Sequence, residues 1–204
     1  MVERVKVVLF DVGGVLLTNG WDRVSRRRGA DEFDLDWEDF EGRHQRLANG
    51  FETGKLSLDD YLKRTVFHRR RSFTSDQFVR FMKSQSQPHP ETLELVAALA
   101  ATDRYLLASL NNESRELNDH RIAAFRLDGL LSIFLSSCYL GIRKPDEDIY
   151  RLALDITQCR PEECLFVDDR AVNLECAELV GMRTIKYHDA QQLRADLARC
   201  GVHV

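Results

Sequence analysis

Val5-Lys6-Val7-Val8-Leu9-Phe10-Asp11-Val12-Gly13-Gly14-Val15 is the stretch on which the reading of this chain turns. Six mostly apolar residues run straight into an aspartate and two glycines. A nearly continuous apolar run of this length predicts a strand buried on both faces, as in a parallel sheet, with its end delivering a carboxylate to the sheet's edge. Glycines just past that carboxylate let the backbone fold back tightly and leave room for a ligand. Strand–Asp–Gly is also ordinary turn chemistry, so its meaning depends on what the rest of the chain brings to the ends of its other strands.

Working outward, Thr18-Asn19-Gly20 carries an Asn-Gly turn signal and predicts a short hairpin folding over the end of the first strand. From about Trp21 to Gln87 the chain is charged and aromatic, with no strand pattern. Trp37, Phe40, His44, Leu47 and Ala48 follow helical spacing, and Gly50 and Gly54 bracket a break. Ser57 then reads as an N-cap with acids in the first turn, before an apolar face of Leu58, Tyr61, Leu62 and Val66. A third helix is expected from Ser75, with Phe78, Phe81 and Met82 on one side. The aromatic residues of this insert are read as core packing.

Pro88-His89-Pro90 punctuates the end of the insert. Strand and helix patterns alternate from there. Strands are expected over Tyr105–Leu110, Ile133–Ser136, Cys164–Val167 and Thr184–Tyr187. Helix faces are marked by Leu93/Val96/Ala97/Ala100, by residues 116–125, by Ile149/Leu152/Ala153/Ile156, by Ala171–Val180 stopped at Gly181, and by Leu193/Leu197. Strands alternating with helices imply right-handed βαβ units, a parallel sheet and an α/β fold. The division expected is a core of residues 1–17 and 88–204 around a helical unit of residues 18–87.

The composition excludes several classes. With 204 residues, 44% apolar and 30% charged, the chain fits a core domain carrying a smaller insert. A net charge of −4 gives no reason to expect nucleic acid or an anionic membrane as partner. The runs Arg26-Arg27-Arg28 and Arg69-Arg70-Arg71 read as solvated faces. Five cysteines, an odd number without a C-x-x-C pair, argue against a disulfide framework or a zinc site and for a reducing compartment. No apolar run approaches the ~20 residues of a membrane span, and no signal-peptide pattern opens the chain. A cytoplasmic protein is expected, of open oligomeric state.

Four polar clusters fall at strand ends or in a loop on that side: Asp11, Asn111-Asn112, Lys144 and Asp168-Asp169. In an open parallel sheet that edge is where ligands bind. Each cluster has a plain alternative. Asp11 can cap a turn, Asn111-Asn112 and Asp168-Asp169 can cap the helices that follow, and Lys144 can be an ordinary loop residue. The doubled acid is the hardest to explain away, because adjacent carboxylates repel and are best tolerated beside a cation. Three carboxylates, a lysine and amides around one crevice suit a hard cation with a phosphoryl group.

In order and spacing these clusters resemble the haloacid dehalogenase superfamily of aspartate-nucleophile hydrolases, over essentially the whole chain. Phe10-Asp11-Val12-Gly13-Gly14-Val15-Leu16 resembles its first motif. Leu110-Asn111-Asn112 falls at its second, Gly141-Ile142-Arg143-Lys144-Pro145-Asp146 is similar to its lysine motif, and Phe166-Val167-Asp168-Asp169-Arg170, with Asn173, to its fourth. The resemblance implies a Rossmann-like parallel sheet core flanked by helices, with a small all-helical cap inserted between the first two motifs. It implies Asp11 as nucleophile, forming an aspartyl-phosphate on a small phosphorylated metabolite, and Mg²⁺ held by Asp11, the Gly13 carbonyl, Asp169 and Asp168. It implies phosphate-side roles for Lys144, Asn111 and Asn112.

Two positions depart from the pattern. Asn111 stands for the usual Ser or Thr, and can still donate a hydrogen bond. Gly13 stands where phosphatases of this superfamily carry a second Asp as general acid and base, help typically worth ~10²–10⁴ in rate. Glu113, a cap histidine (His44 or His68), water, or a good leaving group are the candidate substitutes. The competing readings are a 2-haloacid dehalogenase, which needs neither the second Asp nor the metal, and a non-catalytic phosphate- or metal-binding relative.

Overall fold

The computed structural model describes residues 4–204. Five strands form one sheet: β1 (Val7–Phe10), β2 (Leu106–Asn111), β3 (Ile133–Ser136), β4 (Cys164–Asp168) and β5 (Arg183–Lys186). Ten helices accompany them: α1 (Arg23–Glu32), α2 (Trp37–Glu52), α3 (Leu58–Thr65), α4 (Ser75–Ser84), α5 (Pro90–Ala101), α6 (Arg115–Ala124), α7 (Ser137–Leu140), α8 (Glu147–Thr157), α9 (Ala171–Leu179) and α10 (Ala190–Arg199). The order across the sheet is β3-β2-β1-β4-β5, every pairing parallel. This is the Rossmann-like α/β architecture expected, with a helical insertion between β1 and β2.

The apolar run of β1 is explained by its central place. Val8 and Phe10 pack into one cluster with Leu95, Val96, Leu99, Leu193 and Leu197 of α5 and α10. Val7 and Leu9 face the other way, onto Ile149, Tyr150, Ala153, Leu174 and Ala177 of α8 and α9. A strand covered on both faces has no place for alternating polarity. Gly181, in the left-handed region at φ +87°, ends α9: its N–H reaches the Glu178 carbonyl and the Met182 N–H reaches that of Ala177.

A third cluster lies almost wholly in the insertion, where Trp21, Phe40, Phe51, Tyr61, Leu62, Phe78 and Met82 are buried together with Leu117 of α6. Its helices correct the sequence reading at two places. First, α1 was not expected at all. Asp22 caps it by accepting from the Ser25 N–H, and Ser25, Arg26, Gly29 and Ala30 are buried. The arginine run concealed this face: Arg26 is not solvated but forms a buried ion pair with Glu41, Nε to Oε2 at 2.8 Å. Second, α2 runs through Gly50, and the break comes only at Gly54. The helix expected from Ser75 forms as α4, capped by Thr74 in a reciprocal box with Gln77.

The hairpin expected at Thr18-Asn19-Gly20 does not form. The reversal comes earlier, where Leu16 and Leu17 donate to the Val12 carbonyl and Gly14 donates to that of Leu17. Leu17 then bridges Pro88 and the Thr18 N–H reaches the Gln87 carbonyl, so the two crossings between sheet and insertion run side by side. Leu17 is fully buried; burying it fixes the turn ahead of the Asn-Gly pair, and Gly20 at φ +59° only bends the chain into α1. Among the described residues no helix is long and apolar enough to cross a membrane.

Candidate active site

Parallel pairing of β1 with β2 and β4 puts the ends of three strands side by side, and helices α6 and α9 start just beyond β2 and β4. Asp11 follows β1 directly, Asn111 ends β2 and Asp168 ends β4. The loop after α7 brings Lys144 to the same edge. The four polar clusters therefore meet, and with the insertion above them they enclose a cleft of about 560 Å³. Its floor includes Asp11, Gly13, Asn112, Lys144 and Asp169, and its roof Trp21, Arg26 and His44.

Lys144 is the centre of the floor. Its Nζ lies 2.6 Å from Asp168 Oδ2 and 3.1 Å from Asp11 Oδ2, and it is 2% exposed. Asp168 is wholly buried and further held by Asn173 Nδ2, which donates to both its oxygens at 3.0 Å, and by the Arg170 N–H. Asn112 clamps the backbone of Lys144, Nδ2 donating to its carbonyl at 2.8 Å and Oδ1 accepting its N–H at 2.9 Å. Asn111 sits under the floor rather than in the cleft. Its Nδ2 donates to Asn118 Oδ1 and its Oδ1 accepts from Ser136 Oγ, both at 2.9 Å.

Asp11, Asp168 and Asp169 each place an oxygen within 4.8 Å of the others. Burial pushes the Asp11 carboxyl up to about 7 against the pull of Lys144, with Asp168 adding to the rise. Burial and Asp168 likewise raise Asp169, while a hydrogen bond from Asn19 lowers it. Asp169 Oδ1 is buried with no partner among the described residues. One ammonium group is thus set against three carboxylates, and a buried oxygen is left open. Oxygen-only donors, crowded and short of positive charge, fit a hard divalent cation. Gly14, at φ +82°, permits this crowding: a Cβ there would lie 2.4 Å from Asp169 Oδ2.

The substitutes considered for Gly13 separate clearly. Glu113 lines the cleft and is 7% exposed; burial raises its carboxyl even though Arg121 opposes this. His44 also lines the cleft, but burial lowers it to about 4, so it is neutral at pH 7, with Nδ1 2.9 Å from the Tyr61 hydroxyl. His68 does not line the cleft and pairs with Asp39 at 3.0 Å. Sequence reasoning missed Asn19, read only as a turn residue, and Arg121, read only as part of a helix. Nothing local distinguishes Arg121.

The family model of haloacid dehalogenase-like hydrolases matches residues 5–181. Flavin mononucleotide hydrolase 1 of Arabidopsis thaliana is 29% identical over 80% of this chain, which spans 66% of that protein's length. (S)-2-haloacid dehalogenase 4A of Burkholderia cepacia is 33% identical over 48% of this chain and 42% of its own. A HAD family enzyme from Bacteroides thetaiotaomicron superposes with a TM-score of 0.79 at 19% identity, covering 92% of this chain and 95% of the other. The same enzyme in complex with magnesium and inorganic phosphate gives 0.74 at 17% identity, covering 91% of this chain and 95% of the other.

Proposed function

The chain belongs to the haloacid dehalogenase-like hydrolases, and from that premise we propose that it is a Mg²⁺-dependent phosphatase of small phosphorylated metabolites acting through Asp11. Residues 18–87 serve as the cap over a core of residues 1–17 and 88–204. The observation that carries the reading is the floor of the cleft, where three carboxylates and one lysine converge with an oxygen of Asp169 left open. A dehalogenase, attacking carbon without a metal, has no use for that crowding. The flavin mononucleotide hydrolase, which is named for a phosphate monoester, and the neighbour solved with magnesium and phosphate support the same reading.

Asp11 attacks the phosphorus with a carboxylate oxygen, and the ester oxygen leaves with its electron pair. Lys144, 3.1 Å from Asp11 Oδ2, offsets negative charge on the nucleophile and on the phosphoryl oxygens. Asp168 and Asn112 hold Lys144 in place from its two ends. Asn111, committed to Asn118 and Ser136 beneath the floor, makes no contact with the phosphate and keeps the end of β2 in place. Mg²⁺, held by Asp11, Asp169, Asp168 and the Gly13 carbonyl, would supply charge screening between carboxylate and phosphate. Water then attacks the aspartyl-phosphate, Asp11 recovers its carboxylate and dihydrogen phosphate departs.

A panel of phosphate esters and a chloroacid, each with and without Mg²⁺, tests this. Phosphate release that requires Mg²⁺ and disappears in Asp11→Asn is the expected result. Halide release without metal would establish the dehalogenase reading, and no turnover of any compound the non-catalytic one.

A further inference from the structure

Gly13 carries no acid, yet the space beside it is filled. Its backbone is not in the left-handed region, so nothing in the local conformation demands glycine. A Cβ at residue 13 would lie 3.3 Å from Asn19 Oδ1 and 3.6 Å from Arg121 Nη1. A Cβ at Gly20 would lie 3.4 Å from Arg121 Cζ. Two residues without side chains thus make the room in which one guanidinium sits. Arg121 is 2% exposed and lines the cleft. Nη1 pairs with Glu113 Oε2 at 3.1 Å, Nη2 donates to the Thr18 carbonyl, and Nε is buried with no partner among the described residues. The pair is closed to solvent, its side chains 3% and 9% exposed.

We propose that Arg121 is a catalytic residue that meets the leaving-group oxygen where an acid at position 13 would have met it, with Glu113 and the Thr18 carbonyl as its positioning partners. The inference rests on the phosphatase reading. A guanidinium does not give up its proton in a protein, so Arg121 cannot act as a general acid. It can stabilise charge. As Asp11 bonds to phosphorus and the phosphorus–oxygen ester bond breaks, the electron pair goes to the leaving oxygen. That oxygen departs as an oxyanion hydrogen-bonded to Arg121 and takes a proton from water outside the cleft. In the second half, water attacks phosphorus, the electron pair of the broken bond returns to Asp11, and both protons of the water leave on dihydrogen phosphate. A fixed cation in a desolvated cleft is worth most when the leaving oxygen is most basic. Without proton transfer, the first half-reaction must slow as leaving-group basicity rises.

The test is a leaving-group series, 2,4-dinitrophenyl, p-nitrophenyl and phenyl phosphate, read as kcat/KM with Mg²⁺ present. For the wild type we expect a steep decline along the series. Arg121→Gln should lower kcat/KM ~10²-fold or more on phenyl phosphate and less than ~5-fold on 2,4-dinitrophenyl phosphate, the scale of losing one oxyanion donor. Because Arg121→Gln leaves Glu113 buried without its partner, Arg121→Gln/Glu113→Gln, which removes both charges, repeats the measurement in a fold free of that penalty. A flat wild-type series, or a loss equal on all three esters in the double variant, overturns the role given to Arg121 while leaving the phosphatase reading standing. Absence of phosphate release from every ester by the wild type overturns both.

Discussion

Replacing Lys144 by Met removes the one ammonium group that neutralises the floor of the cleft. Its Nζ lies 2.6 Å from Asp168 and 3.1 Å from Asp11, with Asp168 wholly buried and the Lys144 side chain 1% exposed. At these separations each contact is worth ~5–6 kcal/mol of attraction at an effective dielectric of ~20. Most of that is offset by the cost of taking the lysine out of water, so the net effect of losing one partner of a buried ion pair is ~3–5 kcal/mol. For a chain of this size ~1 kcal/mol moves the melting temperature by ~2–4 °C, so Lys144→Met should melt ~6–20 °C below the wild type in EDTA. Mg²⁺ then supplies a diagnostic second measurement. A cation at 100 times its Kd adds ~2.7 kcal/mol to the wild type. In the variant the ammonium group no longer repels the cation and the carboxylates need it more, so saturating Mg²⁺ should raise the variant's melting temperature by more than it raises the wild type's. Calorimetry on both proteins in EDTA and in Mg²⁺ reads all four values. An unchanged melting temperature in EDTA, or equal Mg²⁺ shifts in the two proteins, would refute the reasoning.

Three further perturbations probe other links. Gly14→Ala places a methyl group 2.4 Å from Asp169 Oδ2 at a backbone φ of +82°; the carboxylate must move, and titration calorimetry should show Mg²⁺ affinity reduced ~10–100-fold, as for other residues that orient metal ligands. Arg26→Met leaves Glu41 buried and unpaired in the cap and should cost ~3–5 kcal/mol by urea unfolding, while Arg26→Met/Glu41→Leu recovers much of it. Hydrogen bonding to Arg26 holds Glu41 below the usual carboxylate range, so the wild type's advantage is complete above the unfolded pKa of ~4.3 and is lost as pH falls through the lower folded value. Gly54→Ala drives a Cβ to 2.2 Å from the Cys138 carbonyl at a φ of +70°, and should cost more than ~1 kcal/mol, with hydrogen exchange accelerated over residues 52–58, where the cap rests on the core.

Much of the fold was legible because the sheet is buried on both faces: runs such as Val7–Phe10 and Cys164–Val167 have one reading only. The convergence of Asp11 and Asp168-Asp169 was legible because topology dictates it, since every parallel strand delivers its last residue to the same edge, whereas Lys144, in the loop after α7, was placed there by the family resemblance. What was not legible lies where side chains contradict their usual habits. Arg26 sits in a triple-arginine run yet is buried, because Glu41, fifteen positions away, meets it across two helices. Asn19 belongs to an Asn-Gly pair yet serves Asp169 rather than a hairpin. Asn112, expected on the phosphate side of the cleft, lines it and also clamps the Lys144 backbone through two hydrogen bonds that nothing local in the sequence announces. Each of these depends on a partner distant in sequence, which periodicity and local propensity do not register.

The distribution of charge in the cleft follows one pattern. Two of the arginines around the cleft are matched by acids on the insertion side: Arg26 by Glu41, and Arg143 at the rim by Glu52. Arg121 is matched by Glu113. The floor gathers three carboxylates, Asp11, Asp168 and Asp169, around the single ammonium group of Lys144. A dianionic phosphate therefore meets a roof whose buried Arg26 is already paired and a floor that repels it until a cation is bound. On the proposed reading, affinity for the phosphate depends on the metal and Lys144, whereas the roof supplies shape and hydrogen bonds to the organic part. The Arg26–Glu41 and Arg121–Glu113 pairs are shielded from solvent and little screened by salt. Raising ionic strength should thus weaken phosphate binding at the floor far more than it weakens discrimination between substrates of equal charge.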